Sequence, residues 1–104
     1  MTVIYDKVTV IGMGLIGTSI ALSIRRGGLA GQVIGNDRSF DVAKTVARLE
    51  ITDQFEADAS IAVREADLVI MAVPVGAVGM VAKEIVPHMK AGAVLTDTGS
   101  TKAS

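Results

Sequence analysis

The chain has 104 residues, enough for one domain, and its ten basic and eleven acidic side chains leave a formal net charge of −1. That balance excludes a nucleic-acid binder built on clustered base, and a composition that is 50% hydrophobic excludes a disordered chain. The absence of cysteine removes disulfides and thiolate chemistry, and with three aromatic residues the core must be built from Val, Ile, Leu, Ala and Met.

Val8-Thr9-Val10-Ile11 is a β-branched run that reads as a first strand, stopped by Gly12. No charge lies between Lys7 and Arg25, yet the stretch is not read as a membrane span or an export signal. Gly12, Gly14 and Gly17 interrupt it, it falls short of the ~20 residues a span needs, and Arg25-Arg26 follows it instead of a small-residue cleavage site. From Leu15 to Ile24 apolar residues occur all round a helix, the pattern expected of one packed closely on a sheet. Gly27, Gly28 and Gly31 end that helix, and Gln32 to Gly35 reads as a second strand. Ser39 is the predicted N-cap of a helix reaching about Leu49, with Ala43, Val46, Ala47 and Glu50 along one side.

Ile51 to Phe55 is a candidate third strand, and Ser60 to Glu65 a short helix. Leu68 to Val73 is continuously apolar, the mark of a strand covered on both faces. Val78, Val81, Ala82, Ile85 and Met89 then form one stripe of a helix, closed by Pro87 and Gly92, and Ala93 to Thr96 is a last strand. Strands alternating with helices predict an α/β fold, a Rossmann-type doubly wound parallel sheet of order 3-2-1-4-5 with right-handed crossovers. Residues 1–104 are read as one dinucleotide-binding domain, cut before the second half of such a sheet is complete. The edge strand left by that cut predicts self-association, with a homodimer as its simplest form.

Gly12-Met13-Gly14-Leu15-Ile16-Gly17 is a G-x-G-x-x-G motif between a strand and a helix, where the spacing carries a mechanism. Gly12 permits a tight turn, Gly14 lets backbone approach a pyrophosphate, and Gly17 lets the helix pack against the strand. The pyrophosphate would rest on the N–H groups that open the helix, Leu15 and Ile16 among them. Asp37, 20 residues beyond Gly17, falls where an acidic side chain accepts from the adenosine ribose. This favours NAD; Arg38 keeps NADP open, because a guanidinium there can pair with the extra phosphate or stack on adenine. Val73-Pro74-Val75 follows the fourth strand at the topological switch point, where Pro74 either stiffens a cofactor loop or only ends the strand.

Thr96-Asp97-Thr98-Gly99-Ser100-Thr101-Lys102 is the most distinctive segment. Together with Gly12 to Gly17 and Val73-Pro74-Val75, it resembles the prephenate dehydrogenase family, which includes the arogenate and cyclohexadienyl dehydrogenases of tyrosine biosynthesis. The likeness runs over essentially the whole chain and corresponds to the N-terminal nucleotide-binding domain of such enzymes. It implies an NAD(P)-linked oxidative decarboxylation of prephenate or arogenate in the cytoplasm. It also implies a supporting role for Ser100 near the nicotinamide, and a catalytic histidine and helical dimerisation domain downstream that this chain does not contain. Without them the chain alone is expected to be inactive.

His88, the single histidine, is read as a solvated helix-end residue far from the crevice, and no metal-ligand spacing is evident. A stand-alone NAD-sensing module and a different reductase of the β-hydroxyacid dehydrogenase group are the competing readings. The hydroxyl-rich Thr98-Gly99-Ser100 segment argues against the first, and the Gly99-Ser100-Thr101-Lys102 wording against the second.

Overall fold

Five parallel strands run through the centre of the computed structural model, which describes residues 5–98. The elements are β1 (Tyr5–Ile11), α1 (Leu15–Gly27), β2 (Ala30–Asn36), α2 (Phe40–Arg48), β3 (Gln54–Phe55), α3 (Ala59–Ala62), β4 (Leu68–Met71), α4 (Val75–Ile85) and β5 (Val94–Asp97), with a 3-10 turn at Val86–His88. The strand order is β3-β2-β1-β4-β5, as the alternation of elements predicts. Val8 of β1 sits opposite Val33 of β2 on one side and Leu68 of β4 on the other, so β1 is the central strand.

Side chains alternate across this sheet with period two, and both faces are covered. Val8, Val10, Val33 and Ile70 pack on one face with Ala21 of α1 and Val46 of α2. Ile11, Ile34, Val69 and Met71 pack on the other, against Ala62 of α3 and Ile85 of α4. Thr9 lies on this second face, fully buried. Its hydroxyl donates to the Ala62 carbonyl at 2.7 Å, so the one polar group in the middle of β1 also ties down α3.

Several boundaries differ from the sequence reading, each for a local reason. Helix α1 meets the sheet through its small residues Gly17 and Ala21, while Leu15 (87%) and Ile16 (60%) stand exposed in its first turn. The all-round apolar pattern therefore does not report burial at the helix start. Gly28, at φ +65°, is the residue that ends α1, whereas Gly31 lies inside β2. The candidate third strand contracts to Gln54–Phe55 and the short helix to Ala59–Ala62. Helix α4 stops at Ile85 because the 3-10 turn containing Pro87 takes over, though Met89 still packs against the core. No helix among the described residues is long and apolar enough to cross a membrane.

A candidate dinucleotide site at the carboxyl ends of the strands

The glycine motif forms the turn from β1 into α1, and its three glycines are held by different physics. Gly12 has φ +92°, and a Cβ there would stand 2.6 Å from the Ala72 carbonyl oxygen; both backbone conformation and close approach exclude a side chain. A Cβ on Gly17 would lie 1.9 Å from the Gly12 carbonyl oxygen, because the helix folds back directly onto its own turn. Around Gly14 a Cβ would meet nothing within 4 Å, and its φ of −74° suits any residue. Nothing in the protein itself demands a glycine at position 14. The space above it is open.

The turn is locked from both sides. Asp37, just past β2, accepts from the Met13 backbone N–H at 2.8 Å through one carboxylate oxygen, and from the Ser39 N–H at 2.9 Å through the other. The Thr18 hydroxyl donates to the Met13 carbonyl at 3.1 Å, and the Met13 side chain is buried against the α1–α2 core. Asp37 therefore does something that spacing alone does not reveal: it fastens the glycine turn to the start of α2. The carboxylate keeps further lone pairs for a ligand hydroxyl, since each oxygen can accept more than one hydrogen bond.

Beyond this turn lies a cleft of about 630 Å³ between the ends of β1, β2 and β4. Of the sequence-predicted residues, Gly12, Asp37, Arg38, Val73 and Pro74 line it. Gly17 is buried beneath the turn, and Gly14, Leu15, Ile16 and Val75 are exposed at the first turns of α1 and α4, outside the lining. Strand β4 already ends at Met71, so Pro74 does not terminate it; Pro74 is instead the N-cap of α4. Ser100 lies outside the described residues.

The sequence reading missed the far walls. Asp58 and its neighbours after β3 form one, and the α4 face carrying Ala77, Met80 and Glu84 forms another. The parallel order could have pointed to the first, because all the loops that follow strands gather at the same end of the sheet. Glu84 had no such signal, being one charged residue on an amphipathic helix. Arg38 Nη2 lies 3.7 Å from Glu84 Oε1, so the two bridge the cleft. Asp58 accepts from the Ser60 hydroxyl at 2.6 Å, and that hydrogen bond chiefly holds its carboxyl below the usual carboxylate range.

His88 is exposed at the opposite end of α4 from Pro74, an eleven-residue helix away, or ~16 Å. It nevertheless lies within electrostatic reach of Asp58, where it is the smallest of the influences on that carboxyl. Among the described residues no cluster of His, Asp or Glu is arranged to hold a metal ion.

A parallel sheet with a glycine turn, an open helix start and a cleft at the switch point defines a dinucleotide-binding fold of the Rossmann class. The chain belongs to the prephenate dehydrogenase nucleotide-binding domain family, whose family model matches residues 20–104. A cyclohexadienyl dehydrogenase from Zymomonas mobilis is 38% identical over 97% of this chain, which spans 34% of that enzyme's length. Arogenate dehydrogenase from Synechocystis superimposes with a TM-score of 0.81 at 27% identity, over 88% of this chain and 32% of that one. Prephenate dehydrogenase from Aquifex aeolicus, solved with hydroxyphenyl propionate and NAD+, superimposes with a TM-score of 0.79 at 26% identity, with the same two coverages.

Proposed function

We propose that this chain is the NAD-binding part of a cytoplasmic dehydrogenase that oxidatively decarboxylates prephenate or arogenate. The observation that carries the cofactor half is the start of α1. It has no side-chain cap, no acidic residue in its first turn, and open space above Gly14. The N–H groups of Leu15, Ile16 and Gly17 have no partner within the helix, and the macrodipole there favours an anion. A dinucleotide pyrophosphate fits these donors. A dinucleotide held there would supply the hydride acceptor for an oxidation in which the substrate ring loses carbon dioxide and becomes aromatic.

In this reading the chain's own residues bind and orient. The Gly12–Gly17 turn, held by Asp37 and Thr18, presents its N–H groups already in place, so little ordering is needed on binding. Asp37 accepts from the ribose, and Val73 and Pro74 offer the cofactor an apolar wall. Ser100 supports the substrate hydroxyl beside the nicotinamide. The base of the reaction is not among these residues, since the only histidine is His88.

Titration with NADH, followed by its fluorescence, is the test. Saturable binding by the wild type, weakened in Asp37→Ala, is the expected result. Absence of saturable binding overturns the cofactor reading.

A further inference from the structure

The charges around the outer half of the cleft are unevenly distributed. Asp37, Asp58 and Glu84 line it with carboxylates, and among the described lining residues Arg38 is the only cation. Asp58 is kept ionised by its hydrogen bonds to Ser60. Arg38 is the side chain that the sequence marks as able to receive the extra phosphate of NADP, because it directly follows the ribose-binding position at the end of β2. In the structure its guanidinium is turned across the cleft to Glu84, on α4, at 3.7 Å.

We propose that Glu84 is a specificity-determining residue that holds Arg38 across the cleft and thereby sets the preference for NAD over NADP. The inference rests on the cofactor reading above and deepens it. A phosphate on the ribose would have to draw Arg38 away from Glu84 and would then leave three carboxylates facing a dianion. The ribose of NAD carries no such charge and leaves the pair intact. Glu84 acts through Arg38 and not by touching the ribose, so it is a positioning residue. The Arg38 side chain is 86% exposed and that of Glu84 43%, so the pair adds little to folding, and salt weakens its hold.

The experiment measures dissociation constants for NADPH and NADH by fluorescence titration at low ionic strength, on the wild type, Glu84→Gln, Glu84→Asp and Glu84→Gln/Arg38→Ala. In Glu84→Gln the ratio of the NADPH constant to the NADH constant should fall by about two- to fivefold, the effect of one exposed ion pair. Glu84→Asp should retain most of the wild-type ratio, and removing Arg38 from the Gln variant should cancel the change. High salt should shrink it. Thermal melting of each variant separates these effects from loss of fold. An unchanged ratio in a folded Glu84→Gln that still binds NADH overturns the role of Glu84 and leaves the cofactor reading standing. Failure of the wild type to bind either cofactor overturns both.

Discussion

Helices α2 and α3 begin on side chains that hold them, whereas α1 and α4 begin on residues that cap nothing. The Ser39 hydroxyl accepts from the Val42 N–H at 3.2 Å, and the Asp58 carboxylate accepts from the Ser60 N–H at 2.9 Å. Gly14 and Pro74 stand in the corresponding places of α1 and α4 and offer no side-chain acceptor. A helix start left open forgoes about 1 kcal/mol of capping. The two open starts are the ones that flank β1 and β4 at the switch point, where a ligand anion can supply what the side chains do not. The difference separates helices finished by the fold from helices whose starts the fold leaves open.

The largest expected effect breaks the turn beneath the open helix. Gly17→Ala drives a methyl into the Gly12 carbonyl, which is backbone and cannot swing aside. A loss of about 3 kcal/mol is expected, lowering the melting temperature by more than about 10 °C and abolishing NADH binding with it. Thermal denaturation checks this, and a wild-type melting temperature would show that the turn yields more readily than its geometry indicates.

Gly14→Asp sharpens the comparison by converting an open start into a capped one. Its carboxylate can accept from the first-turn N–H groups and complement the macrodipole, with a gain of about 0.5 kcal/mol. The same charge occupies the place of the pyrophosphate, so NADH affinity should fall by at least about tenfold. Stability and binding are expected to move in opposite directions. A variant that binds NADH as the wild type does would mean that the helix start is not the phosphate site.

The smallest effect lies on the capped side. The Asp58 carboxyl is held below its ordinary value, mainly by the Ser60 hydroxyl, so folding favours its ionised form. Its contribution is complete above the unfolded value near ~3.9 and is lost as the pH falls through the lower folded value. Asp58→Asn keeps a capping oxygen but no longer titrates. Its stability should decline less steeply than that of the wild type below about pH 4, as denaturant unfolding at several pH values would reveal. Equal slopes would remove the ionised cap from the account of α3.

Much of the fold was legible in the chain because the signals were local and periodic. Leu68 to Val73 read as a strand covered on both faces, and its first four residues, Leu68–Met71, form the inner strand β4. Ser39 capped the helix it was expected to cap, because an N-cap depends on its immediate neighbours. The weakest segments in the sequence, around Ile51 to Phe55 and Ser60 to Glu65, hold the shortest strand and the shortest α-helix, where few residues carry any period.

By itself the sequence determined the order of the sheet, the position of the glycine turn and the acidic residue that follows β2, since alternation and spacing are written along the chain. Tertiary structure decided what those residues hold. The Asp37 bond to Met13 spans 24 positions, and the approach of Arg38 to Glu84 joins the loop after β2 to the distant helix α4. Neither has a period or a neighbour to announce it. It also decided which glycines the fold requires: Gly12 and Gly17 are fixed by carbonyl oxygens within 3 Å of where a Cβ would stand, and Gly14 by nothing in the chain. That distinction arises only when β1, the turn and α1 are brought together, because steric exclusion depends on neighbours in space.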